Sequence, residues 1–118
     1  MSKQPQLDHE IHPLLAQRWS PVGFDPNRPV PPADLAALFE AARWAASSYN
    51  EQPWRYLVAS RDAPDEFARL LGCLVEGNQA WAQHAPVLAL GLFKRARETT
   101  GQPNPAAPAH YRPHGTPH

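Results

Sequence analysis

AARWAASSYNEQPWRYLVAS, residues 41–60, decides how this chain is read. A small-residue helix runs into two serines, an asparagine and a glutamine, and a Pro-Trp pair then opens a strand. Pro53 restricts Gln52 and pushes it out of the right-handed helical region. Beyond it, WRYLVAS (54–60) alternates and is rich in β-prone residues. A connection within one domain does not need so many side-chain hydrogen-bonding groups. Nor does it need two of the chain's four tryptophans, Trp44 and Trp54, at its ends.

Upstream, Leu35, Leu38, Phe39, Ala42 and Ala45 repeat at helical spacing and predict one apolar face. Asp34 lies in the first turn, where the helix dipole favours negative charge. Trp44 falls about 180° from Leu35 at roughly 100° per residue, so it has a second surface to cover, such as another subunit. Before this helix, HPLLAQRW (12–19) predicts a short helix. It stops at a proline-rich loop, Pro21 to Pro32, anchored by Val22, Phe24 and Val30. Downstream, Phe67, Leu70, Leu71 and Leu74 predict an amphipathic helix interrupted at Gly72 and ended near Gly77. NQAWAQHA (78–85) predicts a further helical piece closed by Pro86, and VLALGLF (87–93) a buried strand. Two short strands do not form a stable sheet alone, so the pattern reads as part of a larger fold.

The 118 residues suit one small domain, and 42% apolar content excludes a wholly disordered chain. Eleven basic residues balance eleven acidic ones, so nothing points to a polyanionic partner. Cys73 is the only cysteine, which excludes an internal disulfide and favours a reducing compartment. The N-terminal residues lack a signal-peptide core, and APVLALGLF (85–93) is too short to span a bilayer. The reading is a soluble, cytoplasmic protein. After Lys94 the sequence turns polar, and PAAPAHYRPHGTPH (105–118) predicts no regular structure.

Several residues are candidates for binding, each with an ordinary structural alternative. Arg18 and Ser20, flanking Trp19, would make a phosphate clamp of guanidinium fork and hydroxyl, or a solvated helix end and a turn. Ser47, Ser48 and Asn50 either finish a helix and begin a turn, or aim donors at a heterocycle or phosphate. Asn78 is an N-cap candidate that could equally donate to a carbonyl-rich ring. His84 has no partner at metal-ligand spacing. His110, His114 and His118 recur every four residues in a tail without periodicity. Cys73, among leucines, reads as an inert core thiol. No GxGxxG, GxxxxGK, HExxH or GxSxG pattern occurs, and no catalytic or metal-ligating residue is assigned.

Three blocks in order, RWS before FD, AARWAASSYNEQPW, and GNQAWAQHAPV, resemble the FMN-dependent nitroreductase family from about Leu14 to Asn104. The resemblance implies an α+β fold in two interlocked subunits with FMN at the interface. It implies ping-pong chemistry in which NAD(P)H delivers a hydride and a nitroaromatic- or quinone-like acceptor then takes the electrons. In such an enzyme the cofactor carries the hard step, consistent with the lack of an obvious acid, base or nucleophile. By the resemblance, Arg18 and Ser20 match the phosphate end, with Trp19 contacting through its backbone. Ser47, Ser48 and Asn50 match the segment reaching the flavin bound mainly to the other subunit, and Asn78 the amide near the pyrimidine edge. Val22 stands where the family often carries Arg or Lys, and Ala46 where it usually has proline. Residues 1–104 are therefore read as a nitroreductase-like domain and 105–118 as a non-family tail. The switch in composition after Asn104 leads to the expectation of a truncated chain, through a reading-frame change. The alternative function is a non-enzymatic remnant of the fold that binds flavin weakly or not at all.

Overall fold

A computed structural model describes residues 5–96 and Gly101. Its elements follow the order α1 (Pro13–Gln17), α2 (Pro32–Arg43), a 3-10 turn (Ser48–Asn50), β1 (Trp54–Ser60), α3 (Pro64–Leu71), α4 (Glu76–Ala82) and β2 (Val87–Phe93). The expected α+β class is observed. The tail from 105 onward, with its three histidines, lies outside the described residues.

Proline starts three of the helices. Pro13, Pro32 and Pro64 each sit at the beginning of the first turn, where the missing N–H is no loss and the fixed φ suits a helix. Charges match the dipole in α3, with Asp65 and Glu66 in the first turn and Arg69 in the last, and in α2 with Asp34 and Arg43. The first helix is shorter than the sequence suggests. It closes at Gln17, and Arg18 is already extended at φ −66°, ψ 134°.

The strands pair antiparallel, from Trp54 opposite Phe93 to Ser60 opposite Val87, with Leu57 opposite Leu90. Lys94 N–H donates to the Pro53 carbonyl at one end, and Arg61 N–H to the Pro86 carbonyl at the other. Helix α3 packs along both strands. It covers the face carrying Leu57, Ala59 and Leu90, leaving a groove of about 430 Å³ that Leu70 also lines. On the other face the Phe39 ring of α2 meets Tyr56, their centroids 5.2 Å apart. Gly91 lies opposite Tyr56 in the register, giving that ring room beside the sheet. Beyond the sheet, Phe24 of the proline-rich loop stacks on Trp81 of α4 at 6.0 Å.

Three sequence expectations are corrected. The helix over Phe67–Leu74 does not continue to Gly77. It ends at Leu71 with Gly72 as its cap, and Gly77 belongs to a separate helix, α4. Cys73 is exposed, because it falls in the turn beyond that cap rather than on the packed stripe. Its Sγ–H donates to the Arg69 carbonyl at 3.4 Å. Finally, Asn78 does not cap α4. Val75 holds that position, and Asn78 lies inside the first turn with its N–H donating to the Val75 carbonyl at 2.9 Å.

The core is thin. Ala59, Phe67, Ala82 and Ala85 are its buried apolar residues among those described, and α2 has none. Leu14, Leu38 and Trp44 are 73%, 62% and 76% exposed.

Candidate functional site

The candidate residues lie on three separate segments. Arg18, Trp19 and Ser20 follow α1, where chain direction changes from helix to extended backbone; all three are exposed. In extended backbone alternate side chains share a side, so an extended Arg18 suits a side-by-side presentation with Ser20. Neither side chain makes a hydrogen bond among the described residues. Asn78, also exposed, is carried on the first turn of α4.

The third segment is the connection between α2 and β1. Helix α2 ends at Arg43, and Trp44 N–H closes it onto the Ala41 and Ala42 carbonyls. The chain then makes the 3-10 turn at Ser48–Asn50. Three non-glycine residues here adopt left-handed backbone: Tyr49 and Asn50 at φ 52° and Gln52 at φ 43°. Asparagine visits this region with ease, whereas tyrosine and glutamine do so at a cost of about 1–2 kcal/mol each. The sequence places Gln52 outside the right-handed helical region, as observed, yet in the left-handed well rather than the extended one that proline favours. Side chains repay this local cost with hydrogen bonds. Gln52 N–H donates to Ser47 Oγ at 2.8 Å, and Gln52 Nε2 donates to Asn50 Oδ1 at 2.9 Å. Ser47 is half-buried, while Ser48 and Asn50 are exposed.

The structure thus ties Ser47 and Asn50 into one unit through Gln52. No hydrogen bond among the described residues links Arg18, Ser20 or Asn78 to Ser47, Ser48 or Asn50. The cavities of about 430, 400 and 250 Å³ are lined by other residues. Arg18, Trp19, Ser20, Ser48, Asn50 and Asn78 are exposed, and Ser47 is half-buried. Sequence reasoning missed Gln52 as a participant. A long amide immediately before proline and two residues after an asparagine was the available signal.

Beside this connection, Trp44 is fixed despite its exposure. Its indole N–H donates to Glu40 Oε1 at 2.9 Å, and Arg43 Nη2 donates to the same oxygen at 3.0 Å. The Arg43 guanidinium lies over the Trp44 ring, 5.5 Å from its centroid. The Trp44 hydrogen bond holds the Glu40 carboxyl below the usual glutamate value. Partial desolvation opposes it, and the hydrogen bond and charge of Arg43 reinforce it.

An α+β chain whose candidate site is a set of donors, without an evident acid, base or nucleophile, is suited to holding a group that brings its own chemistry. The chain belongs to the nitroreductase family, whose model matches residues 15–110. It is 40% identical over 69 residues to the major NAD(P)H-flavin oxidoreductase of Aliivibrio fischeri, covering 54% of this chain and 32% of that protein. A Streptomyces coelicolor protein whose name includes "NAD(P)H nitroreductase" is 42% identical over 64 residues, covering 54% of this chain and 31% of that one. Among solved structures, a crystal structure of an oxidoreductase containing FMN superposes with a TM-score of 0.75 at 35% identity. The match covers 86% of this chain and 51% of that one. The chain spans about a third of the length of the curated relatives it matches.

Proposed function

We propose that the protein is an FMN-dependent NAD(P)H oxidoreductase of the nitroreductase type, working as a homodimer in the cytoplasm. Its acceptors are nitroaromatic- or quinone-like, and hydride enters and leaves by a ping-pong sequence. The observation that carries this reading is the state of the donors. Arg18, Ser20, Ser48 and Asn78 keep their side-chain donors uncommitted among the described residues, and Asn50 commits only its carbonyl oxygen.

The donor set fits FMN. A guanidinium and a hydroxyl two residues apart suit a phosphate, since the fork pairs with two of its oxygens and the hydroxyl with a third. Ser47, Ser48, Asn50 and Asn78 supply neutral donors for the oxygen and nitrogen edge of a flavin ring. When bound, the flavin supplies hydride transfer. The chain's own residues hold and bias it. Arg18 and Ser20 anchor the phosphate, with the Trp19 backbone between them. The Asn78 amide would hold the pyrimidine edge, where a donor would stabilise the negative charge of the reduced ring. Ser47, Ser48 and Asn50 would serve the flavin of the other subunit, which would supply a further wall of the site. Val22 offers no charge to the phosphate, so Arg18 carries more of that contact.

The test is the visible spectrum of the purified full chain, recorded with its elution volume. The expected result is blue-absorbing FMN co-eluting with a dimer and bleached by NADPH, with colour returning when a quinone is added. A colourless monomer unchanged by added FMN and NADPH overturns the proposal.

A further inference from the structure

Gln52 is the residue through which the α2–β1 connection holds two of its donors at once. Its backbone N–H reaches Ser47 Oγ at 2.8 Å and its side-chain Nε2 reaches Asn50 Oδ1 at 2.9 Å. Both bonds have the same polarity. A serine hydroxyl has one hydrogen to donate and two lone pairs; here one lone pair is occupied and the hydrogen is left for another partner. An asparagine amide can present either its oxygen or its NH2, and here the oxygen is held by Gln52 while both amide hydrogens are left over.

We infer that Gln52 is the positioning residue of this loop, orienting Ser47 and Asn50 as donors toward an acceptor-rich ligand. The identity of that ligand as FMN rests on the proposed function. The backbone supports the assignment. Gln52 sits at φ 43°, immediately before Pro53. Glycine or asparagine would take that conformation at lower cost. Neither side chain has the reach with which the glutamine amide holds Asn50. Asn50 and Tyr49, each at φ 52°, are turned by the same loop, so its strain is concentrated where the donors stand.

The experiment uses the full chain with Gln52→Met, which keeps bulk and loses the side-chain donor, and Gln52→Glu, which replaces that donor with an acceptor. In the flavin-free protein, 15N relaxation of residues 47–52 reads loop order. Wild type is expected to be as ordered there as in β1, and Gln52→Met to be visibly looser. In a FMN titration, Gln52→Met is expected to weaken binding about fivefold, the size of one lost hydrogen bond. Gln52→Glu is expected to weaken it further, because the Asn50 amide turns its NH2 inward and its oxygen toward the ligand. Asn50→Ala should cost clearly less in the Gln52→Met background than in wild type, since the two act as a unit. Full additivity of these two changes, or unaltered loop order in both Gln52 variants, overturns the inference. If the wild-type chain takes up no FMN, the flavin reading fails, and loop order alone then decides the role of Gln52.

Discussion

Arg18 shows how much a single residue is asked to do. It leaves the last turn of α1 extended and exposed, next to a loop where Val22 contributes no charge. If it grips the phosphate of FMN, Arg18→Ala should weaken binding by roughly ten- to a hundredfold, the range for a charge-assisted hydrogen bond. Arg18→Lys should recover part of that, as a point charge without the fork. FMN titration at low and moderate salt checks both. Glu40 gives a second prediction, on pH. Its carboxyl is held below the ordinary glutamate value, chiefly by the Trp44 indole N–H. A depressed folded value means the native state favours the ionised form. The contact is therefore fully present above the unfolded value, and it is lost as pH falls through the lower, folded one. The Trp44 indole N–H resonance should titrate with a midpoint below that of a free glutamate. In Glu40→Gln that titration should vanish. A midpoint at or above the free value would contradict the geometry.

At the scale of elements, α3 is what holds the hairpin. It packs along both strands, and Phe67 is one of few buried side chains, with the Arg61 guanidinium 5.5 Å from its ring centroid. Phe67→Ala should cost about 3 kcal/mol, with little of the thin core able to collapse into the space, and urea unfolding followed by circular dichroism measures it. Gly91→Ala is the contrasting case. An added Cβ would lie 3.7 Å from the Tyr56 ring, an ordinary contact, and the φ is not one that needs glycine. It should leave stability unchanged or raise it by about 0.5–1 kcal/mol, since glycine inside a strand is entropically unfavourable. Both strands were legible, β1 from its alternation and β-prone residues and β2 from a short apolar run after Pro86, but β2 has no buried residue and is not the buried strand that run predicts. The cap at Gly72 was less legible, because Leu74 continues the apolar spacing beyond it and periodicity alone cannot see a helix end. The same gap misplaced Cys73 in the core and Asn78 at a cap. Residue type and spacing picked out Ser47 and Asn50, but not their coupling through Gln52, which depends on left-handed backbone that only asparagine among the three makes expectable.

For the molecule as a whole, the apolar surface sets the problem. Helix α2 carries leucine, alanine and one phenylalanine around most of its circumference and buries none of them. A helix this widely apolar has more surface to cover than one packed face provides. Leu38 and Trp44 stand out into solvent, and the latter is braced by Glu40 and Arg43 rather than left to swing. Bracing an exposed indole lowers the entropy lost when it is covered, which is what a docking anchor requires. Under the proposed function the cover is a second copy of the chain, and the same event would bring Ser47, Ser48 and Asn50 to the flavin of that copy. Oligomeric state and flavin content should therefore fail together. Leu38→Glu combined with Trp44→Glu puts charge on two exposed sides of α2 without touching a candidate flavin contact. The variant is expected to sediment as a monomer with its circular dichroism retained, and to lose most of its FMN. A monomeric variant that retains full FMN would show that one chain completes the site unaided. A dimer that survives both substitutions would move the interface away from α2.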